Sequence, residues 1–352
     1  MWELEHVAVD LGYGFVKAIS SSGKRIVFPS LVGRGYDRSI TSVLGGTPND
    51  MKSIYIDYLD QDYFVGELAT ESRSVSRIFE RERFSHLYTQ ILLNTAIQLV
   101  TEKENVAIST GLPLDFYQSQ AKEFRKKILG IQPEMKWHTG PRAGKRRINI
   151  NQAMVFPQGA SAVFSALINH EGKYNYPHLM GENSLIALID IGFRTTDYVV
   201  VEMQGNGSFV PIAKLSGTVD EGTVNLHRDI RQAFKAKTGG ADLNEFYINR
   251  ILVNEFLRYK GNHIDFSELI HASKQSIATN LADRLKAVWA EESDLFDGLF
   301  LAGGGGELFE PYIQPHLENR LKLITECQFA NSIGYLRLGK TISQRHQKKK
   351  SG

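Results

Sequence analysis

The chain of 352 residues, 42% hydrophobic and 23% charged, is long enough to bury one large core or two of ordinary size. Its formal net charge of +2 indicates no particular partner, and its single cysteine excludes a disulfide framework and a cysteine-based metal cage. No apolar run approaches the ~20 residues that span a bilayer, and the N-terminus lacks the basic start and apolar middle of a signal peptide. We therefore expect a globular protein of the cytoplasm.

Near the N-terminus, an apolar strand ends at an aspartate that opens a glycine-containing turn. Residues 7–19 run from this strand through Asp10, Gly12 and Gly14 into a second apolar strand that carries Lys17. Because glycine has no side chain, the backbone N–H groups of such a turn can approach phosphate oxygens closely. The segment is therefore a candidate phosphate-binding hairpin.

Short strands and a small inserted element follow this hairpin. Residues 24–31 predict a short strand, and residues 53–65 predict two strands of an element inserted at about 32–80. Apolar residues at helical spacing predict a helix over 84–100. Aromatic and aliphatic side chains of the inserted element either offer a surface for another subunit or form only its own core: Tyr55, Ile56, Tyr58, Tyr63 and Phe64.

The next stretch combines a predicted strand and helix with a run of basic residues. Residues 105–110 predict a buried strand, and a helix should run from Pro113 in its first turn to Gly130 beyond its end. Residues 136–151 are basic and contain no acid. We favour a solvated hairpin over a nucleic-acid contact there, because only Trp137 and His138 could stack on bases.

The second half repeats the first hairpin at residues 186–201. Asp190 ends an apolar strand, Gly192 lies in a turn that closes at Thr196, and Asp197 opens the next strand. The two carboxylates suit a hydrated Mg²⁺, a cation that prefers oxygen ligands. A lone Asp-x-Gly is usually an ordinary turn, but two copies in hairpins of equal length favour a split phosphate clamp over two unrelated hairpins.

Helices and one strand surround this second hairpin. Residues 155–167 predict the end of a strand and a helix of small residues, and further helices are predicted over 224–237, 243–259, 266–292 and 308–321. A strand over 295–302 leads into four glycines, and a short strand at 323–324 precedes a closing helix over 331–346. Strands followed by helices in each half predict an α/β architecture with two sheets, each half beginning with one hairpin.

Two glycine patterns near the C-terminus could bind a nucleotide, and the sequence favours the first of them. Gly303, Gly304 and Gly305 follow a strand and precede a helix, a place where nucleotides lie against the main chain. Residues 334–341 match the P-loop pattern GxxxxGK[ST], but that motif requires a preceding strand within a parallel sheet. Because residues 335–338 continue a helical pattern, we interpret this match as part of the closing helix.

In this order, five segments resemble the nucleotide-binding segments of the actin, sugar kinase and heat-shock ATPase superfamily: DLGYGFVK, FPQGASAVFSAL, DIGFRTTD, LAGGGG and FANSIGY. The strings IVFPSL, ISTGLPL and QFANSIGYLRLG are most similar to bacterial and archaeal actin-like proteins, including ParM-type plasmid segregation ATPases. The resemblance implies an α/β actin-like ATPase fold with two related domains around a nucleotide cleft. Domain I would cover 1–157 with the insert at 32–80 and the helix 331–346 packing back on it, and domain II would cover 158–330.

The resemblance also implies roles for individual residues. Asp10 and Asp190 would act on Mg²⁺ through water, and Lys17 would touch the terminal phosphates. Gln158 would orient the attacking water without taking its proton, so Gln158, Asp190 and Asp10 form the implied catalytic set. The implied nucleotide-binding residues are Gly12, Tyr13, Gly14, Lys17, Gly192, Arg194, Thr195, Thr196, Glu221, Gly303, Gly304 and Gly305. For Arg194, contact with phosphate and exposure to solvent remain equal alternatives.

The function implied by the resemblance is a filament-forming ATPase that moves plasmid DNA. ATP or GTP, with Mg²⁺, would drive head-to-tail polymerisation, and hydrolysis would trigger disassembly. Its partners would be further copies of itself and a DNA-bound adaptor protein, with no direct contact to nucleic acid or membrane. The alternative is a small-molecule kinase or phosphatase of the same superfamily, with Asp115 or Asp197 as its base.

Overall fold

The computed structural model describes residues 4–36, 50–77, 86–142, 144–205 and 207–351. The strands are, in chain order, β1 (Glu5–Leu11), β2 (Phe15–Ser20), β3 (Arg25–Pro29), β4 (Val32–Arg34), β5 (Ile54–Asp57), β6 (Asp62–Val65), β7 (Asn105–Leu112), β8 (Glu134–Thr139), β9 (Gly144–Arg147), β10 (Asn149–Pro157), β11 (Leu185–Ile191), β12 (Thr196–Met203), β13 (Phe209–Pro211), β14 (Gly217–Val219), β15 (Phe256–Tyr259), β16 (Asn262–Asp265), β17 (Phe296–Ala302) and β18 (Leu321–Leu323). The α-helices are α1 (Leu87–Val100), α2 (Leu114–Leu129), α3 (Ala160–Leu167), α4 (Thr223–Thr238), α5 (Glu245–Asn254), α6 (Ser267–Trp289), α7 (Gly306–Ile313) and α8 (Ala330–Ser351). Within these ranges, the helices lack the combination of length and apolar character that spanning a bilayer requires.

The chain divides into two compact units. Unit 1 contains Met1–Lys173 and Phe329–Gly352, and unit 2 contains Tyr174–Gln328. The domain limits suggested by the sequence, at 157/158 and 330/331, stay predictions. Residues 37–49 and 78–80 of the predicted insert lie outside the described part of the chain.

The main sheet of unit 1 has, among the described residues, five strands in the order β10-β7-β1-β2-β3. The strands β1, β7 and β10 are parallel, whereas β1, β2 and β3 form an antiparallel meander. Side chains alternate between the two faces of β1. Val7 and Val9 join the core formed with α1 and α2, while Ala8 packs with Ile333 and Tyr335 of α8. Helices therefore cover both faces of this sheet.

The inserted element belongs to a second sheet of unit 1, in the order β4-β6-β5-β8-β9. The two predicted strands are β5 and β6, and the basic segment supplies β8 and β9 to the same sheet. The five candidate contact residues of this element are all buried: Tyr55, Ile56, Tyr58, Tyr63 and Phe64. Of the two alternatives for these side chains, the structure supports core packing, so they cannot form an exposed contact surface.

The basic segment forms the expected hairpin, and four of its five lysine and arginine side chains form ion pairs with glutamates. Arg142 and Arg146 form ion pairs with Glu102, which lies 40 residues before Arg142 in the sequence. Lys145 pairs with Glu134 on the neighbouring strand. Trp137 is buried and donates its indole N–H to the side chain of Gln98 at 2.7 Å, so it offers no exposed ring for stacking on bases.

Unit 2 repeats the strand arrangement of unit 1. Its main sheet has the order β13-β12-β11-β17-β18, with β14 also pairing with β12. The hairpin β11–β12 is antiparallel, and β11, β17 and β18 are parallel, as are β1, β7 and β10 in unit 1. Each predicted hairpin thus occupies the same place in its own sheet. The predicted α/β architecture, with one hairpin beginning each half, is confirmed.

Two predicted helices of unit 2 end earlier than expected. The helix predicted over 243–259 ends at Asn254, because Glu255 adopts a left-handed conformation with φ of 63° and the chain enters the hairpin β15–β16. The helix predicted over 308–321 leaves α-helical geometry after Ile313 and continues as a 3-10 helix, Gln314–Leu317, which the left-handed Glu318 and Asn319 end before β18. Left-handed residues stop a helix even where apolar spacing continues.

The P-loop-like string lies inside α8, as predicted. The glycines of this string serve close packing, because a Cβ on Gly334 would lie 1.9 Å from the carbonyl oxygen of Ser161. A Cβ on Gly339 would likewise lie 2.1 Å from the Ser109 hydroxyl. The helix α8 therefore needs glycine to reach α3 and β7.

We expect Gly334→Ala to destabilise the protein by about 2 kcal/mol, although alanine is the better helix former, because the added methyl group overpacks the contact with Ser161. Urea unfolding measures this change. The control is Gly181→Ala, at an exposed glycine whose Cβ would have only the Ser184 hydroxyl nearby, 3.4 Å away. Equal unfolding midpoints for the two variants would contradict the packing argument.

Candidate functional site

The first hairpin brings three predicted residues together around a buried carboxylate. Asp10 lies at the end of β1 and faces Lys17 across the β1–β2 ladder. The Lys17 ammonium nitrogen lies 3.0 Å from Asp10 Oδ2, and the amide of Gln158 donates to Asp10 Oδ1 at 3.3 Å. Both carboxylate oxygens of Asp10 therefore accept hydrogen bonds.

The parallel strands explain why Gln158 reaches Asp10. The strands β1, β7 and β10 end at one edge of the sheet, and Gln158 directly follows β10. Its backbone N–H donates to the carbonyl of Leu112 at 2.8 Å, and the N–H of Gly159 donates to Asn331 at 3.1 Å. Residues 148 positions apart thus meet where three strands end.

The turn after Asp10 is tight, and Ser30, which follows β3, binds its carbonyl groups. A Cβ on Gly12 would lie 2.7 Å from the carbonyl oxygen of Phe15, so the turn requires a residue without a side chain. The Ser30 hydroxyl donates to the carbonyl of Gly12 at 2.7 Å, and the Ser30 N–H donates to the carbonyl of Gly14 at 2.9 Å. The carbonyl face of the turn is therefore fixed from one side.

Arg77 also binds this turn, and the sequence contained no signal for it. Its guanidinium Nη1 donates to the carbonyl oxygens of Tyr13 at 3.1 Å and Gly14 at 2.9 Å. Because 63 residues separate Arg77 from Gly14, no local spacing could have linked the two.

The second hairpin repeats the geometry of the first turn with a different charge. Asp190 is buried at the end of β11 and faces Asp197 on β12, the position that Lys17 occupies in the first hairpin. A Cβ on Gly192 would lie 2.8 Å from the carbonyl oxygen of Thr195, which matches the restriction at Gly12. The two turns therefore share a backbone design, while the residue opposite the aspartate is basic in one and acidic in the other.

The N-terminus of α4 binds the carbonyl groups of the second turn. The N–H of Thr223 donates to the carbonyl of Gly192 at 3.2 Å, and the N–H of Val224 donates to the carbonyl of Phe193 at 2.7 Å. These are N–H groups that a helix cannot satisfy internally. The carbonyls of the second turn are thus fixed by a helix end.

Three other predicted residues lie close to this turn. Thr196 is buried, and its hydroxyl donates to the carbonyl of Glu221 at 2.8 Å. Glu221 lies 3.7 Å from Arg284, and among the described residues its Oε2 is buried without a hydrogen-bond partner. Arg194 Nε lies 3.4 Å from Asp220 Oδ1, and the Arg194 side chain is 35% exposed. This ion pair is a third arrangement, beside the contact with phosphate and the exposure to solvent that the sequence left open.

The glycine run packs directly against the second turn. Gly303 has φ of +90°, and a Cβ there would lie 2.3 Å from both Asp190 Oδ1 and the carbonyl oxygen of Ile191. The N–H of Gly305 donates to the same carbonyl at 2.9 Å. Gly304 is open by comparison, since its nearest neighbouring atom would be 3.9 Å away. Gly303 therefore lets the chain approach Asp190, and Gly305 lets it approach Ile191.

Each unit offers, at the end of a strand, one buried carboxylate of the kind that suits a hydrated Mg²⁺. Asp10 and Asp190 supply carboxylate oxygens, the ligands that this cation prefers. Because both oxygens of Asp10 already accept hydrogen bonds, contact with the metal through water fits better than direct ligation.

We expect Gly303→Ala to lower the stability of unit 2 by about 2 kcal/mol, because alanine is strained at φ of +90° and collides with Asp190. The single cysteine reports this change, since the Gly303 N–H donates to the Cys327 carbonyl at 3.0 Å. Burial and the Glu307 carboxylate raise the pKa of the Cys327 thiol, so it should react slowly in the native protein.

In Gly303→Ala, the reaction of Cys327 with a thiol reagent should be about tenfold faster or more, through local opening. The matched control is Gly304→Ala, which should react as the wild type does. Equal rates in the two variants would contradict the close approach of Gly303 to Asp190.

Comparisons with known proteins agree on one family. Residues 8–160 match the N-terminal domain of actin-like proteins, and residues 188–315 match the C-terminal domain of the archaeal, MreB-like actin homologue. A 15-stranded ParM filament from Clostridium botulinum is 28% identical, with a TM-score of 0.85 over 96% of this chain and 99% of that chain.

Two archaeal proteins extend the comparison. An archaeal actin homolog of Thermoplasma volcanium is 24% identical over 345 residues, covering 94% of this chain and 97% of its own. The structure of an archaeal actin homolog in complex with ADP has a TM-score of 0.77 at 19% identity, over 96% of this chain and 99% of that chain. The predicted actin-like fold is confirmed.

Proposed function

Since this chain belongs to the actin-like proteins, we propose that it is a filament-forming ATPase of the ParM and archaeal actin type. It binds ATP or GTP with Mg²⁺ in the cytoplasm, polymerises with further copies of itself and disassembles after hydrolysis. Its task is plasmid segregation through a DNA-bound adaptor protein. The observation that carries the proposal is the repetition of one aspartate-led turn at the same place in two sheets of the same strand order.

In unit 1, the residues around Asp10 bind the phosphates and position water. The Lys17 ammonium brings positive charge to the turn, and Gly12 and Gly14 let backbone N–H groups approach the phosphate oxygens. Gln158 holds Asp10 through its amide nitrogen, which leaves its amide oxygen to accept from a water molecule. Because an amide cannot take a proton, this residue orients the water only, which suits slow hydrolysis.

In unit 2, Asp190 and the two loops beside it complete the nucleotide-binding residues. Bound Mg²⁺ would neutralise charge on the phosphates, with Asp10 and Asp190 holding its water molecules. The second turn would bind phosphate through Gly192, Arg194, Thr195 and Thr196. Glu221 would approach the ribose, and Gly303, Gly304 and Gly305 would lie against the adenosine.

Exposed apolar side chains favour self-association, and unit 2 carries two of them on α5. Phe246 and Val253 are 55% and 81% exposed and lie seven residues apart, on one face of α5. Ile248 and Ile251 on the opposite face are buried in the core. Two exposed apolar side chains on the outer face of this helix, with the exposed Asn249 and Arg250 between them, favour contact with another protein, here a second copy of the chain.

The geometry gives less support to a small-molecule kinase or phosphatase. That chemistry needs a carboxylate base that faces a substrate hydroxyl. Asp197 accepts a hydrogen bond from the Thr218 hydroxyl, and Asp115 is exposed in the first turn of α2, where its charge favours the helix N-terminus. The filament-forming ATPase is therefore the function that we propose.

Light scattering and pelleting with Mg²⁺ and ATP, GTP or ADP test the proposal together with phosphate release. We expect scattering to rise with a triphosphate and to decay as phosphate appears. Asp190→Ala should lower hydrolysis by about a hundredfold or more, because the water near the phosphates loses its carboxylate partner, while circular dichroism stays unchanged. Steady hydrolysis without scattering, accelerated by a small hydroxylated compound, would overturn the filament function in favour of a kinase.

Two lysines distinguish the proposed site from the P-loop-like string. Lys17→Ala should weaken the binding of Mg·ATP by about tenfold or more, because a charged partner of the phosphates is lost. Lys340→Ala, which changes the lysine of the string within α8, should leave binding unchanged. Titration of a fluorescent ATP analogue measures both, and thermal unfolding shows whether each variant is folded. The reverse pattern would move the nucleotide to the C-terminal helix.

A further inference from the structure

We propose that Arg77 is a positioning residue for the first turn, and this inference rests on the nucleotide-binding function proposed above. Its guanidinium holds the carbonyl groups of Tyr13 and Gly14, so that the turn keeps the shape in which it binds phosphate. Arg77 acts on the nucleotide through the turn and not by direct contact. It links residues 72–77, which follow β6 in the chain, to the nucleotide-binding residues of unit 1.

A comparison of the two turns carries the inference. In the second turn, backbone N–H groups of α4 bind the carbonyls of Gly192 and Phe193. The corresponding carbonyls of the first turn are those of Gly12 and Tyr13. The side chain of Ser30 binds the first of them, and the side chain of Arg77 binds the second. Unit 1 thus replaces the donors of a helix end by a hydroxyl and a guanidinium.

The backbone around Arg77 is fixed, so its side chain can hold the turn. Ser76 and Val32 exchange two backbone hydrogen bonds, at 3.0 and 3.3 Å, which tie the segment to β4. The Ser72 hydroxyl also donates to the carbonyl of Arg34 at 2.8 Å. Arg77 itself is half-buried. A movement of the first turn must therefore either break the bonds of Arg77 or displace residues 72–77.

The charge of Arg77 favours the same arrangement. Carbonyl oxygens carry partial negative charge and would repel a phosphate if they pointed toward it. A guanidinium that binds two of them keeps them directed away from the ligand, and a charged donor makes such bonds stronger than a neutral one. Lysine can donate to the same carbonyls from one nitrogen, as Nη1 of Arg77 does, but its ammonium is more strongly hydrated and its stem is more flexible, so it should replace arginine only in part.

The test compares Arg77→Ala and Arg77→Lys with the control Arg73→Ala, which removes an exposed arginine four residues earlier. Hydrogen exchange of the nucleotide-free protein reports on the backbone of residues 12–16. We expect exchange there to be about tenfold faster in Arg77→Ala, to recover in part in Arg77→Lys and to stay at the wild-type rate in Arg73→Ala. Residues 105–112 of β7 should exchange as in the wild type in all three variants.

The affinity for Mg·ATP is measured on the same proteins, and we expect it to fall about tenfold in Arg77→Ala and to recover in part in Arg77→Lys. Unchanged exchange with weaker binding would mean that Arg77 contacts the phosphate itself and would overturn the positioning role. Unchanged exchange with unchanged binding would overturn it as well. If the wild type binds no nucleotide, the proposed function fails, whatever the exchange rates show about the turn.

Discussion

A buried carboxylate at the end of a central strand is the constraint on which both units depend. Burying a charge is costly unless it is paired and hydrogen-bonded. At Asp10, the chain supplies Lys17 from the next strand and Gln158 from a strand two places away. At Asp190, it supplies Gly303, whose missing side chain lets a neighbouring loop come close. The order of strands in each sheet brings these residues to the aspartate.

The two turns solve one structural problem by different means. Both need their carbonyl groups bound from one side, and unit 2 uses the N–H groups at the start of α4, whereas unit 1 uses Ser30 and Arg77. They also differ in the residue opposite the aspartate, which is Lys17 in one hairpin and Asp197 in the other. Under the proposed function, this difference would let the first turn neutralise phosphate charge while the second favours water and metal.

Local patterns were enough to predict the hairpins and most helices, because strand alternation and turn chemistry act over a few residues. They could not predict the pairing of the basic hairpin with the inserted sheet or its ion pairs with Glu102, which depend on residues far apart in the chain. Apolar spacing also continued beyond Glu255, where a left-handed residue ends α5. Arg77 escaped prediction for the same reason as Glu102, since only the fold brings it to its turn.

Hydrogen exchange with and without Mg·ATP tests most directly whether the two aspartate-led turns bind the nucleotide. We expect nucleotide to slow exchange in residues 10–17 and in residues 190–197, and in residues 303–306 as well. Slower exchange confined to residues 334–341, or in only one of the two hairpins, would contradict it.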